Sequence, residues 1–333
     1  MKGLLKKLSI SVMIISLFAS AAVAAYPEKN ITGIICWGAG GGTDNVTRAI
    51  NPMVDKELGK TIVLQNKPGA AGVIAMTYVY KMPADGYTVM YQAENPGIYQ
   101  VMQLSKITYD DFIPIMLFLQ GVNMVVVPND SPYKTIGDLV AAAKAGKNIK
   151  QASCGVGSQE HVVSSMFKNV TGATFTAVNF DGNGAAVSAV MGGHVDVAFE
   201  PSATVLPFLK SGKLRCLATM TTERYEETPN IPAIVEYNKS FNKYLPWGAF
   251  YGAFVKKGTP QEVVDKLTNA YKKAINDQRF ITFAKNFGGI RLGLTGDKAK
   301  AYLDRHKSVS SWLIYTAGDA KKSPKDFNIL EPK

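Results

Sequence analysis

Glycine-rich segments that end in small polar residues are the part of this sequence best suited to bind an anion. The first is residues 34–44 (IICWGAGGGTD), where an apolar run meets a glycine cluster followed by Thr43 and Asp44. Thr and Asp are favoured helix N-caps, so this order predicts a strand, a turn and a helix start. The first turn of a helix offers free N–H groups and a positive dipole end to an anion. We therefore predict that this segment forms one wall of a pocket for a small carboxylate.

Three other loops have a similar polar, glycine-containing character and also follow predicted strands. They are residues 66–72 (NKPGAAG), 92–97 (QAENPG) and 153–161 (SCGVGSQEH). In open α/β sheets, ligands bind beyond the carboxyl ends of the strands, where such loops gather. One of these loops alone would be only a tight turn. Together they favour a shared ligand cleft.

The glycines fit two nucleotide-binding motifs poorly. The phosphate-loop pattern G-x-x-x-x-G-K-[ST] is absent, and Thr43-Asp44 replaces its lysine. The dinucleotide pattern also fails, because the third glycine is missing at the required spacing after Gly38 and Gly40. We therefore favour a carboxylate ligand and expect no cofactor.

Ser158 and His161 have a spacing that permits two interpretations. They could be nucleophile and general base of a secreted hydrolase. Alternatively, Ser158 is an N-cap and His161 a hydrogen-bonded structural histidine. The second interpretation is favoured, because the chain has no G-x-S-x-G elbow and no assigned third triad member. His194 and His306 have no partner at metal-ligand spacing, so we expect neither catalysis nor a metal site.

Acidic and aromatic residues near the loops could also face a ligand. Asp44 either caps the first helix or orients a water that bridges to the ligand. Glu94 and Glu200 are more unusual, since a buried carboxylate in an anion site needs a positive or donor-rich partner. A ligand with an amino, amide or hydroxyl group would supply one. Trp37 could belong to an aromatic wall, or it could simply pack at its strand end.

Composition indicates an exported globular protein. Three lysines, an apolar run and an Ala22-Val23-Ala24 cleavage site predict a signal peptide over residues 1–24; the alternative is an N-terminal membrane anchor. The chain of 333 residues has 47% hydrophobic residues and a net charge of +11. Its lysines are scattered and form no stripe interleaved with aromatic residues, so we expect no nucleic-acid partner. Three cysteines leave at least one thiol free.

The hydrophobic pattern predicts two α/β domains. Strands alternate with helices over residues 31–91, which implies a parallel sheet with helices on both faces. Pro52 lies inside the first predicted helix, where we expect a kink or a break. A second α/β block starts near residue 123. We predict domain 1 as residues 25–122 plus 229–333, and domain 2 as residues 123–228. The chain then crosses between the domains twice, and the cleft between them can close about a hinge.

Several motifs together resemble the Bug family, the periplasmic substrate-binding proteins of tripartite tricarboxylate transporters. The resemblance covers residues 26 to about 289. Its motifs occur here in this order: Tyr26-Pro27, Gly40-Gly41-Gly42-Thr43-Asp44 with Arg48, Asn66-Lys67-Pro68-Gly69-Ala70 with Gly72, Asp85-Gly86-Tyr87-Thr88, Gly155-Val156-Gly157-Ser158 with His161, Gly192-Gly193-His194-Val195-Asp196, and Arg224 with Pro229 and Pro232. Pro52, Trp37-Gly38 and Glu94 depart from the family pattern, which bears on the ligand more than on the fold.

The resemblance implies a type II periplasmic-binding-protein fold that closes over a small organic carboxylate between its domains. It implies a location in the periplasm and delivery to the permease subunits of a membrane transporter. A sensory subunit with the same cleft is an alternative, and we expect a monomer. The ligand-binding residues that we predict are Trp37, Gly40, Gly41, Gly42, Thr43, Asp44, Asn66, Gly69, Ala70, Ala71, Gly72, Glu94, Asn95, Ser158, His161, Asp181, Gly182 and Glu200.

Overall fold

Strands and helices alternate along most of the chain. The computed structural model describes residues 26–332, so the predicted signal peptide lies outside the described residues. The strands are β1 (Ile31–Ile35), β2 (Ile62–Asn66), β3 (Thr88–Gln92), β4 (Phe112–Gly121), β5 (Asn123–Pro128), β6 (Lys150–Ser153), β7 (Thr176–Asn179), β8 (Val197–Pro201), β9 (Leu214–Thr219), β10 (Phe250–Lys256) and β11 (Gly289–Leu294). The helices are α1 (Gly42–Leu58), α2 (Val73–Lys81), α3 (Ile136–Lys144), α4 (Gln159–Thr171), α5 (Asn183–Met191), α6 (Ser202–Lys210), α7 (Ile234–Tyr237), α8 (Gln261–Ala274), α9 (Gln278–Phe287) and α10 (Gly296–Thr316).

The strands form two sheets. The first sheet has the order β11-β4-β10-β3-β1-β2, and the second has the order β7-β6-β8-β5-β9. In the first sheet β1 pairs in parallel with β2 and β3, as the βα pattern predicts. In the second sheet β6 pairs in parallel with β7 and β8. The two-sheet α/β architecture with a cleft between the sheets confirms the predicted fold class.

The remaining strands of the first sheet, which lie beyond the predicted parallel strands of residues 31–91, pair antiparallel. β10 runs antiparallel to both β3 and β4, and β11 runs antiparallel to β4. The sequence pattern did not predict β4, α9 or β11. β4 is a nearly continuous buried apolar run, and such a run lacks the alternation that identifies a half-buried strand.

Of the kink or break expected at Pro52, the break does not occur. α1 runs without interruption from Gly42 to Leu58 with Pro52 inside it. The ring of Pro52 is exposed, while Met53 and Val54 are buried against the first sheet. Burial of this apolar face outweighs the hydrogen bond that the proline cannot make.

Three chain segments connect the two sheets. The chain leaves the first sheet between Gly121 and Asn123 and returns over residues 220–249. α10 adds a third connection: its Ala299 and Leu303 pack in a core cluster of the first sheet, whereas its Val309 and Leu313 pack with the second. The core of the second sheet also includes residues from 98–102 and 241–247. The predicted domain boundaries stay a prediction.

The helices within residues 26–332 are not suited to a bilayer. None of them is both long enough and apolar enough to cross a membrane.

Candidate functional site

A cavity of about 490 Å³ lies between the two sheets and is lined from both. This volume is in the range of small-molecule sites. Of the predicted ligand-binding residues, ten line it: Trp37, Gly40, Gly41, Gly42, Thr43, Glu94, Asn95, Ser158, Asp181 and Gly182. The remaining eight, Asp44, Asn66, Gly69, Ala70, Ala71, Gly72, His161 and Glu200, do not. Whether either group contacts a ligand stays a prediction.

Four helices begin at this cavity. Residues in the first turns of α1, α4, α5 and α6 contribute to its lining. The N-cap residues of α1, α5 and α6 are Gly41, Gly182 and Pro201, and none of them makes a side-chain cap. First-turn N–H groups without a cap remain available to a ligand, and each helix adds a partial positive charge. No Lys, Arg or His is among the described residues that line the cavity, so these backbone donors are its main attraction for an anion.

The glycines at the start of α1 allow close packing that a side chain would prevent. Gly40 has φ of +78°, a left-handed conformation that favours glycine. A Cβ at Gly42 would lie 2.5 Å from the hydroxyl oxygen of Tyr251. Tyr251 comes from β10, far along the chain, and itself lines the cavity. Gly42 therefore lets the turn approach β10 and keeps its amides next to the cavity.

Asp44 holds the glycine turn in place from the side away from the cavity. Its carboxylate accepts hydrogen bonds from the Gly40 amide, Arg48 Nε and Asn66 Nδ2, each at 2.9 Å. Burial by itself raises the pKa of Asp44, but the hydrogen bonds from Arg48, Gly40 and Asn66 outweigh it and lower that pKa. Asn66 also donates to the carbonyl of Trp37 at 3.0 Å. Asp44 and Asn66 thus hold the shape of the turn and do not line the cavity.

The loop of residues 66–72 packs away from the cavity. Its Lys67 amide donates to the Ile35 carbonyl at 2.8 Å, and its Ala71 carbonyl accepts from the Tyr99 hydroxyl at 2.5 Å. Tyr99 is fully buried in the core beneath. These contacts explain why Gly69–Gly72 are absent from the lining although the loop follows a strand of the same sheet edge.

The start of α4 separates Ser158 from the His161 ring. The Ser158 hydroxyl accepts from the His161 amide at 3.4 Å, which is a helix cap. His161 Nδ1 accepts from the Gly157 amide at 3.1 Å, and its Nε2 lies 3.5 Å from an Asp319 carboxylate oxygen. Burial lowers the pKa of His161, which Asp319 partly offsets. Both ring nitrogens are thus engaged away from Ser158, so the nucleophile–base pair of a hydrolase is not formed.

Three buried carboxyl groups lie around the cavity. Glu94 and Glu160 line it, and Glu200 lies just behind, where Asn183 Nδ2 donates to Glu160 at 3.0 Å and to Glu200 at 2.8 Å. Burial raises the pKa of Glu94 to about 8, and the nearby Glu160 adds to the effect. Burial and Glu160 likewise raise the pKa of Glu200 well above its usual range. The cavity therefore combines a donor-rich wall with an acidic one.

Some cavity residues were missed in the sequence. Gln159 and Glu160 follow the predicted Ser158 directly, and Asn183 follows Gly182, so the pattern of helix starts could have included them. Tyr251 had no local signal, because it reaches the cavity only through the pairing of β10 with β3.

Comparison with known proteins identifies relatives over most of the chain. The model of the tripartite tricarboxylate transporter family receptor matches residues 46–292. The chain is 32% identical over 263 residues to the UPF0065 protein in the gbd 5' region of Cupriavidus necator, covering 78% of each. It is 26% identical to protein BugT of Bordetella pertussis, covering 91% of this chain and 94% of BugT.

Solved structures agree with this result. The periplasmic binding protein BugD superposes with a TM-score of 0.81 at 26% identity, covering 89% of this chain and 100% of BugD. A TctC solute-binding protein from Polaromonas gives a TM-score of 0.69 at 30% identity, covering 87% of this chain and 99% of that protein. At 23% identity, MatC from Rhodopseudomonas palustris, solved with bound malate, shares the fold with a TM-score of 0.78 and covers 87% of this chain and 100% of its own.

Proposed function

This chain belongs to the tripartite tricarboxylate transporter receptor family, and from that premise we propose that it captures a small organic carboxylate in the periplasm and delivers it to a membrane permease. It is a solute-binding protein and not an enzyme. The permease partner and the carboxylate ligand are what we propose.

One observation carries the proposal: the starts of α1, α4, α5 and α6 converge on a cavity that no described Lys or Arg lines. The N-termini of α1, α5 and α6 have no side-chain cap and can bind a carboxylate through backbone N–H groups and the helix dipole. Structural relatives with this fold hold malate in MatC and adipate in a second protein of R. palustris. Those ligands are carboxylates of a size that fits about 490 Å³.

Delivery to a permease is supported by the position of the cavity. Residues from both sheets line it, so a ligand that contacts both favours the closed arrangement. A permease can then distinguish the loaded receptor from the empty one by its shape. Because three chain segments connect the two sheets, we expect the closing movement to be a rotation about a hinge.

Thermal unfolding against a panel of carboxylates tests the binding role. The protein is first unfolded and refolded to remove retained ligand, and then titrated with succinate, malate, adipate and amino-substituted acids. A carboxylate at about 100 times its dissociation constant should stabilise the protein by about 2.7 kcal/mol. The proposal fails if no carboxylate raises the unfolding temperature.

Gly42→Ala locates the site. The added methyl group meets the Tyr251 hydroxyl at 2.5 Å, so the turn must move away from the cavity wall. We expect a loss of carboxylate affinity of roughly tenfold or more, because displacement of the donors weakens every hydrogen bond they make. Gly137→Ala on α3 is the matched control, since its methyl group would meet nothing closer than 3.5 Å. Equal affinity in both variants would place the site elsewhere.

A further inference from the structure

Unpartnered hydrogen-bond acceptors are concentrated on the wall of the cavity. Within residues 26–332, the buried side-chain atoms without a hydrogen bond include Glu94 Oε2, Asn95 Oδ1 and Gln159 Oε1. These three side chains all line the cavity, and each is more than nine-tenths buried. The other buried atoms in this state lie outside the lining: the amide nitrogens of Asn51, Gln92 and Asn123, and side-chain oxygens of Asn123, Tyr133, Glu200 and Thr228. A buried acceptor without a partner costs free energy, which a ligand that donates hydrogen bonds recovers.

The orientation of the two amides is fixed by their other contacts. Asn95 Nδ2 donates to the Gly157 carbonyl at 2.5 Å, and Gln159 Nε2 donates to Glu160 Oε1 at 3.2 Å. Rotating either amide would place an oxygen against an oxygen acceptor. The free atom of each amide is therefore the oxygen, and the wall presents acceptors rather than donors.

The charges around this wall have one sign. Glu94 comes from the end of the first sheet and Glu160 from α4 of the second, and Glu160 is occupied by the Cys154 amide, Gln159 and Asn183. No described basic side chain lines the cavity to balance them. Five other titratable groups interact electrostatically with Glu94, and burial raises the pKa of each. They are Tyr99, Tyr109, Tyr251, Tyr302 and Cys154. They are uncharged at neutral pH and do not neutralise the carboxylates.

We propose that the ligand is an amino-carboxylate whose protonated amine binds at the subsite formed by Glu94, Asn95 and Gln159, while its carboxylate faces the uncapped starts of α1, α5 and α6. This inference rests on the proposed function and refines its ligand class. An ammonium group has three N–H donors and a positive charge, which matches three free acceptors beside two carboxylates. A plain dicarboxylate has no donor for these acceptors and would place its second anion beside Glu160. Glu94 and Asn95 belong to one sheet and Gln159 to the other, so the amine also draws the two sides together.

Matched ligands on one carbon skeleton test the amine directly. Calorimetric titration compares aspartate, malate and succinate, and in parallel alanine, lactate and propionate. In at least one series the amino acid should bind roughly tenfold or more tightly than its hydroxy and unsubstituted counterparts. Equal or weaker binding of the amino acid in both series overturns the inference but leaves the proposed function standing. If no carboxylate binds, the proposed function fails and the inference fails with it.

The variant Glu94→Gln tests whether Glu94 binds the amine. It removes the charge at similar size, so the preference for the amine should fall roughly tenfold or more while malate and succinate affinities stay unchanged or rise. Glu262→Gln makes the same chemical change at an exposed site on α8 and should leave all affinities unchanged. Unfolding curves without ligand check that both variants fold. An unchanged amine preference in folded Glu94→Gln overturns the assignment.

A second readout uses the native protein alone. Burial raises the pKa of Glu94 to about 8, so an ammonium ligand that binds its ionised form must displace a proton at neutral pH. Amino-acid affinity should then rise by up to about tenfold per pH unit between about pH 6 and 8. Titration in buffers of different ionisation enthalpy should show proton release for the amino acid and not for malate. Binding of the amino acid without proton release contradicts the proposed contact.

Discussion

Asp44 fixes the shape of the proposed anion site without lining the cavity. It accepts from Gly40, Arg48 and Asn66, and these contacts fix the glycine turn at the start of α1. Its negative charge is compensated by Arg48, whose side chain lies on the outer side of the turn. The residue therefore positions backbone donors, and its own carboxylate is shielded from the cavity by the turn.

We predict that Asp44→Ala destabilises the protein by about 1 to 3 kcal/mol, because several donors lose their charged acceptor. Urea unfolding at neutral pH measures the change. Asp265→Ala, at an exposed position on α8, should change stability by less than about 0.5 kcal/mol. Because the folded-state pKa of Asp44 is lowered, its contribution is present above about pH 4 and is lost as the pH falls through the folded value. A difference between native and variant that persists in strong acid would contradict this role.

For single residues, the sequence predicted which ones lie near the cavity better than it predicted where their side chains point. The glycine turn, Glu94 and Ser158 were predicted from helix starts and strand ends, which are local signals, whereas Asp181 and Gly182 came from the family resemblance. Asn66 was predicted from the same signals, but its side chain points back to Asp44 and Trp37. Which way a loop side chain points depends on partners distant in sequence, and no local pattern contains that information.

Among the elements, α1 carries an internal proline without a break. Asn51 accepts from the Tyr91 hydroxyl at 2.8 Å, and Tyr91 lies 2.6 Å from the Tyr271 hydroxyl. These contacts tie the middle of α1 to β3 and α8 beside the proline. The carbonyl of Arg48, four residues before Pro52, receives no helical N–H from it.

We predict that Pro52→Ala stabilises the protein by about 1 to 3 kcal/mol, since it restores this N–H and removes an exposed helix breaker. Lys56→Ala on the same helix, also exposed, is the control and should shift stability by less than about 0.5 kcal/mol. Thermal unfolding without ligand measures both. Loss of stability in Pro52→Ala would mean that α1 requires the geometry that proline imposes.

The sheet order shows the limit of prediction at the level of elements. The parallel arrangement of β1, β2 and β3 followed from the alternation of strands and helices. The insertion of β10 between β3 and β4 did not, because it joins segments about 160 residues apart in the chain. That pairing is also what carries Tyr251 to the cavity.

For the molecule as a whole, α10 and the segment that returns to the first sheet, residues 220–249, are joined by a buried polar contact. Trp247 donates through Nε1 to the Ser310 hydroxyl at 2.9 Å and stacks on His306, with ring centroids 5.1 Å apart. His306 Nε2 lies 3.0 Å from the Gly248 carbonyl. Two of the connections between the sheets are therefore packed against each other.

We predict that this link makes the protein less stable in mild acid. Burial lowers the pKa of His306 to about 4. The unfolded chain thus takes up a proton first, near pH 6.5, and stability falls by roughly 3 kcal/mol in total as the pH drops towards 4. His306→Gln retains a donor for Gly248 and should flatten the dependence of urea unfolding on pH over this range.

His194→Gln is the control, because His194 is exposed in a turn. It should leave the dependence as it is in the native protein. His161, whose pKa burial also lowers, adds to the loss in the same direction and should account for part of what remains in His306→Gln. Equal slopes for His306→Gln and the native protein would show that the buried imidazole does not set the acid sensitivity.

The packing of residues 309–329 against the second sheet has a consequence for how the protein forms. β5 to β9 are contiguous in the chain, yet their core includes Leu313 and Ile329, and Asn169 of α4 donates to the Leu313 carbonyl at 2.9 Å. As the chain is synthesised, the strands of this sheet are complete about 100 residues before the side chains that cover them appear. The second sheet therefore keeps an uncovered apolar surface until late in synthesis, and a chaperone that binds such surfaces has a long interval in which to hold it unfolded.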